Sequence, residues 1–206
     1  TPLYSSAASD VYKRQFQGER AVTLPLERAE SSIIVPAMQQ NSDTGIETPF
    51  VADAITVLPE WIDYNGHLNV AYYLHAFDLG YDAVFEKMGF GSDVIRERNA
   101  SGFAAELHLT FQRELLLGDR LRITTQLLGF DAKRCRMFQS MYHHDSNELA
   151  ATCEWMSLYI DMTKRRVTEM PAELQRRLAR VIESHGKLPA PPESGRGISL
   201  GNRRRD

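Results

Sequence analysis

The sequence predicts an α+β domain in which an antiparallel sheet wraps one long central helix. Three observations carry this. A β-branched stretch (Phe50–Pro59) precedes an apolar run at helical spacing (Val70–Met88). Four strand-like stretches joined by short polar links come next. A second helical pattern closes the series at Pro171–Gly186.

The elements follow in chain order. "FVADAITVLP" alternates loosely and is rich in β-branched residues, and Pro59 ends it because proline cannot donate to a ladder. Apolar residues then recur at Val70, Tyr73, Phe77, Leu79, Ala83, Val84 and Met88, which predicts a helix of about five turns. Asn69 stands at the N-cap position, where its side chain can accept from a free N–H of the first turn. Gly89–Gly91 supplies the stop. Strands are expected over Phe103–Leu115, Arg120–Asp131, Arg134–His144 and Glu148–Asp161, with turns at Gly118-Asp119, Ala132-Lys133 and Asp145–Asn147. Connections this short imply antiparallel pairing. Pro171 near the start and Gly186 at the end frame the last helix. A long helix after the first strand has one sheet face on which to bury its stripe.

The folded domain is expected over residues 45–186, followed by a Pro/Gly-rich tail (187–206) that is extended or flexible. "SSAASDVYKRQ", Ser5–Gln15, resembles the translation of a sequencing adapter, so residues 1–37 are expected to lie outside the fold. Met38 is the expected natural start, and "MQQNSDTGIETPF" after it lacks the basic and apolar regions of a signal peptide.

Composition narrows the function classes. A net charge of −3 and a pI near 6.1 argue against a nucleic-acid binder. No apolar run approaches the roughly 18 residues of a membrane span. Cys135 and Cys153 fit neither a metal spacing nor a disulfide framework; buried free thiols in a reducing cytoplasm are expected.

The chemistry concentrates in "WIDYNGHLNVAYY", Trp61–Tyr73. Asp63 sits in a loop that turns into the helix, and Gly66 permits a tight turn or close approach to a ligand. The N–H groups from His67 to Ala71 have no intrahelical partner and lie at the positive end of the helix dipole, where an oxyanion is favoured. An acid beside them can activate water or attack an acyl carbon. The competing reading is structural: Asp63 and Asn69 cap a helix, and His67 lies at the surface. On the residues alone, capping is the commoner use of such a pattern.

The spacing Asp63-x-x-Gly66-His67-x-Asn69, between a first strand and a long helix, resembles the hotdog-fold acyl-CoA thioesterases of the 4-hydroxybenzoyl-CoA thioesterase-like group. The resemblance spans about Phe50–Asp161 and includes "AELHLTFQREL" followed by "GD". It implies that Asp63 is the catalytic carboxylate and that backbone amides at Gly66, His67 and Asn69 polarise the thioester carbonyl. "LPEWIDYNGH", "TTQLLGFDAKR", "LAAT" and the late "GR-x-I" are similar to thioesterases of carnitine and betaine metabolism, which implies betainyl-CoA as substrate. Two positions depart from the pattern: Trp61 stands where many relatives carry a second acid, and Val70 where many carry a second asparagine. Hotdog relatives are dimers or tetramers with shared sites, so a homodimer or homotetramer is expected. No cofactor is implied.

Other groups have narrower readings. Lys133 and Arg134 occupy a strand-to-strand turn and are candidates for the phosphates of coenzyme A, with an ordinary solvated turn as the equal alternative. Trp61 and Tyr64 flank Asp63 and are the candidate aromatics for a quaternary ammonium; Tyr72, Tyr73 and Trp155 read as core. His143 and His144 are neighbours on a strand, so they point to opposite faces and are poorly placed to share a metal. His75, His108 and Glu106 read as packed or solvent-facing. Two other functions stay open. A hotdog enoyl-CoA hydratase would place its histidine five positions after the acid, whereas His67 comes at four. A non-catalytic acyl-CoA sensor would have no need of the acid.

Overall fold

The computed structural model describes residues 39–40, 45–88, 90 and 96–200, without the side chains of 39–40 and 53–54. The adapter-like stretch, Met38, Gly89, Gly91 and the last six residues lie outside the described residues. The elements run β1 (Gln39–Gln40), β2 (Glu47–Thr48), β3 (Phe50–Thr56), α1 (Val70–Met88), β4 (Ala100–Phe111), β5 (Arg120–Phe130), β6 (Arg134–His143), β7 (Leu149–Asp161), β8 (Arg166–Val167) and α2 (Ala172–His185). The expected α+β architecture is the one observed. Pro59 opens a short 3-10 turn, Pro59–Trp61, beyond the end of β3.

The main sheet has the order β3-β5-β6-β7-β4, with β8 on β7, and every pairing is antiparallel. The short links β5–β6 and β6–β7 join neighbours, as expected. The link from β4 to β5 does not: β4 pairs with β7 at one edge, and β5 pairs with β3 at the other side. This corrects the simple meander. An eight-residue link reaches about 27 Å extended, and three strand spacings need only about 14 Å. A short connection therefore did not oblige the two strands to pair. The consecutive strands β3 and β4 stand at opposite edges, and α1 bridges them.

Helix α1 buries Tyr73, Ala76, Phe77, Gly80, Tyr81, Val84, Phe85 and Met88, a stripe at intervals of three and four. Val70, Leu79 and Ala83, expected in that stripe, turn outward; Val70 is 61% exposed. The helix lies close on the sheet. A Cβ on Gly80 would come within 3.1 Å of the Ile123 side chain, and one on Gly102 within 2.4 Å of the Phe85 ring. A substitution at Gly102 would therefore have to displace that ring.

Helix α2 is tied down by His185, which is completely buried. Its Nδ1 accepts from Leu127 N–H at 2.9 Å, and its Nε2 donates to Glu47 O at 3.0 Å. The ring meets Phe50 edge-on, and Ser184 Oγ lies 2.6 Å from Thr48 Oγ1. This arrangement requires the neutral ring, and burial holds its pKa below the ordinary 6.5. The folded state thus binds fewer protons than the unfolded one. The stabilisation is complete above about 6.5 and is lost as pH falls toward the lower folded value. A thermal midpoint that declines from neutral pH into the acid range is expected, with a contribution from this group of at most about 1.4 kcal/mol per pH unit. The His185→Gln variant should be less stable at neutral pH but show a flatter decline.

The tail is partly held. Gly195 N–H donates to Glu154 Oε2 at 2.7 Å, and Arg136 donates to Ser194 Oγ at 2.9 Å and to Glu154 Oε1 at 2.5 Å. Part of the segment expected to be extended or flexible therefore lies against β6 and β7, fixed by one half-buried ion pair.

Candidate active site

The turn from Trp61 to Asn69 is fixed by its own backbone. Asp63 N–H donates to His67 O at 3.0 Å, Gly66 N–H to Asp63 O at 3.0 Å, and Asn69 N–H to Trp61 O at 2.9 Å. Gly66 has φ +85°, the left-handed region that favours glycine. Leu68 N–H donates to Leu115 O at 2.7 Å, and Tyr73 Oη donates to Arg113 O at 3.1 Å. These two bonds clamp the β4–β5 link against the turn. This clamp is not legible in the sequence, where Arg113 and Leu115 read as the end of a strand.

Asn69 caps the helix: its Oδ1 accepts from Ala71 N–H at 2.9 Å. Two of the three amides expected at the oxyanion are engaged within the turn: Gly66 N–H by Asp63 O and Asn69 N–H by Trp61 O, which leaves His67 of the three. Among the described residues, no hydrogen bond is formed by the N–H of His67 or of Val70. Both precede or open the first turn of α1, where the helix dipole is positive.

The Asp63 side chain is only 12% exposed. Its Oδ1 accepts from Asn65 N–H at 2.7 Å, which fixes the carboxylate in the turn. Among the described residues Oδ2 forms no hydrogen bond; His67 Nδ1 lies 3.7 Å from it, too far for one. That nitrogen lies 3.3 Å from Leu68 O instead. One oxygen of Asp63 is thus an anchor, and the other forms no hydrogen bond among the described residues.

The remaining candidates are distributed unevenly. Trp61 is buried; its ring stacks on Tyr72 at 5.6 Å and meets His75 edge-on at 5.3 Å. Tyr64 is 81% exposed. Tyr73 packs on Phe111, and Trp155 on Tyr81. Burial pushes the hydroxyl of Tyr73 up to about 12, so it stays protonated. Lys133 and Arg134 sit at the other end of the sheet. Val57 N–H bonds Asp119 O beside the turn, whereas Phe130 ends β5, about 30 Å further along the strand. Arg134 is engaged by Asp131 through Nε at 2.7 Å, and the two N–H groups of that turn also bond Asp131 Oδ1. The Arg134 guanidinium and these N–H groups hold the Asp131 carboxyl below its usual range. One chain does not bring this basic turn to Asp63.

His143 and His144 lie at the β6–β7 hairpin, with Ser146 N–H on His143 Nδ1 and Asp145 beside His144. Glu106 and His108 line an outer-face cleft with Glu154 and Arg136. Cys135 and Cys153 are buried free thiols, and burial pushes Cys135 up to about 12.

Residues 57–178 match the thioesterase-like superfamily. A betainyl-CoA thioesterase of Pseudomonas aeruginosa is 38% identical over 160 residues, covering 76% of this chain and 94% of that protein. An L-carnitine dehydrogenase/betainyl-CoA thioesterase of Rhizobium is 29% identical over 82% of this chain, which spans only 34% of that longer protein. Among solved structures, a Staphylococcus aureus protein in complex with CoA superposes with a TM-score of 0.68 at 24% identity, covering 75% of this chain and 98% of that one.

Proposed function

The chain belongs to the thioesterase-like superfamily and is an acyl-CoA thioesterase of hotdog fold; on that premise we propose that Asp63 carries the reaction and that the acyl group is betainyl. The observation that carries the site is a fixed Asp63 whose Oδ2 forms no hydrogen bond among the described residues, in a turn that leads into a capped helix start and in which the N–H groups of His67 and Val70 likewise form none among those residues.

The thioester oxygen rests on the N–H groups of His67 and Val70, which stabilise the developing negative charge. Oδ2 of Asp63 takes a proton from water as its oxygen attacks the carbonyl carbon, or attacks that carbon itself. By the first route the C–S bond breaks as the C–O bond to water forms, and the proton held by Asp63 passes to the leaving thiolate. By the second, the C–S bond breaks to leave an acyl–Asp63 anhydride, which water then hydrolyses to restore the carboxylate. Products are the free acid and the coenzyme A thiol. Gly66 contributes the turn, Asn69 the cap, and His67 borders the carboxylate.

The betainyl assignment draws on the named relatives. Tyr64, with its ring open, is the aromatic available to a quaternary ammonium; Trp61 already has one face against Tyr72. The fixed charge is testable against its neutral isostere, 3,3-dimethylbutanoyl-CoA. A preference for betainyl-CoA of about tenfold in kcat/KM is expected. Equal rates for the two would reject the betainyl assignment while leaving the hydrolase reading intact.

We also propose a homodimer through β4. That edge is twelve residues long and exposes Phe103, Leu107 and Phe111, and α1 exposes Val70 and Leu79. Antiparallel pairing of two β4 edges would bring the Lys133–Arg134 turn of a second copy toward Asp63, which gives those cations a route to the phosphates of coenzyme A. The functional domain is taken as 45–186. A cytoplasmic setting accords with the two free thiols. No helix of the described residues is long and apolar enough to cross a membrane.

A further inference from the structure

A cleft of about 590 Å³ lies at the opposite end of α1 from Asp63. Its walls are the β2–β3 segment (Gly45, Ile46, Glu47, Phe50), Lys87 at the end of α1, and Arg177, Arg180 and Val181 of α2. It sits on the β3 side of the sheet, away from the β4 edge. About 27 Å of helix separates it from the Asp63 turn, so it is not part of the catalytic turn of the same chain.

The charges in this cleft are unbalanced. Among the described residues that line it, three cations meet one carboxylate. Both oxygens of Glu47 are engaged: Oε1 accepts from Val51 N–H at 3.0 Å and Oε2 from Lys87 Nζ at 2.5 Å. Lys87 also donates to Val51 O at 2.9 Å, and Arg177 Nη2 donates to Lys87 O at 2.7 Å. Lys87 and Arg177 therefore have a structural role, closing the negative end of α1. That role leaves Arg177 with further N–H groups, and its guanidinium is held in place. Arg180 has no such role. It lies three residues on from Arg177, at a spacing that shares a helix face, and forms no ion pair among the described residues.

The walls are fixed rather than open to collapse. The Thr48–Ser184 and Glu47–His185 bonds zip β2 to the end of α2 beside the cleft. Phe50, Ile46 and Val181 supply an apolar lining. Two guanidinium groups over an apolar floor suit a phosphate group attached to an organic body, since guanidinium N–H groups match phosphate oxygens in pairs.

We propose that this cleft binds the phosphate of a nucleotide-type phosphate ester, with Arg180 and Arg177 as the donors. The proposal does not depend on turnover, so its failure would leave the hydrolase assignment standing. The test is calorimetric titration of the whole chain with adenosine 3′,5′-bisphosphate and with inorganic phosphate. Saturable binding of the bisphosphate is expected, weakened about tenfold in Arg180→Gln and in Arg177→Gln. Arg180→Lys, which keeps the charge but loses the planar fork, should retain part of it. Arg180 is exposed, so its variants keep the fold, as an unchanged thermal midpoint would verify. A parallel rise in KM for acyl-CoA in Arg180→Gln would identify the phosphate as the substrate's own. An unchanged KM would identify a separate phosphate ligand. Equal binding by wild type and Arg180→Gln, or no binding by wild type at millimolar bisphosphate, would overturn the proposal.

Discussion

Asp63→Asn should lower kcat for thioester hydrolysis by about 10²–10⁴-fold, the range for a lost general base. The substitution keeps shape and volume. The amide oxygen can still accept from Asn65 N–H, so the turn keeps the bond that fixes it. The change falls on the other atom: Oδ2, without a hydrogen-bond partner among the described residues, becomes an NH₂ that can neither take a proton from water nor attack carbon. The helix cap is a separate device, Asn69 on Ala71, and is untouched. KM should therefore move little while kcat collapses, the pattern of an interaction made in the transition state. Steady-state thiol release, with far-ultraviolet circular dichroism as a control for folding, checks it. Hydrolysis at the parental rate would remove Asp63 from the chemistry.

Phe77→Ala has the largest expected effect on stability. The ring is fully buried in the middle of α1, at the centre of the stripe that faces the sheet. The helix already approaches the sheet closely at Gly80, so the surroundings cannot close over the vacancy by simple approach. Such a truncation costs about 3–5 kcal/mol through lost transfer energy plus the cavity. For a domain of this size that lowers the thermal midpoint by roughly 6–20 °C. The Phe77 carbonyl, which accepts from the buried Gln139 Nε2 at 3.3 Å, stays in place. The variant should accordingly keep the wild-type kcat wherever it remains folded. A shift below about 2 °C would mean the stripe is not the main anchor of the helix.

The sequence made some features legible because they are local. The helix bounds 70–88 and its Asn69 cap follow from spacing and from one side chain's reach, and both are observed. Pairing depends on partners remote in sequence, and there the short Gly118-Asp119 turn suggested a neighbour that β5 does not have. The orientation of Val70 and Leu79 was hidden for a related reason: periodicity marks an apolar residue without saying whether one sheet or a second surface covers it. In the turn, the acid, glycine and asparagine were visible in order. Which N–H groups are engaged was not, because Gly66 is committed by a bond to Asp63 O that only the folded turn defines. The clamp from Leu115 and Arg113 and the convergence of Lys87 with Arg177 and Arg180 join segments 47 and 90 residues apart or thereabouts, and no local pattern announces them.

The most direct measurement is thiol release from betainyl-CoA by the unaltered chain, with the acid product followed in parallel and crotonyl-CoA run alongside. One thiol and one betaine carboxylate are expected for each thioester consumed, with no water added across the double bond of crotonyl-CoA. Hydration of crotonyl-CoA without thiol release, or tight binding of the thioesters with no turnover of any of them, would contradict it.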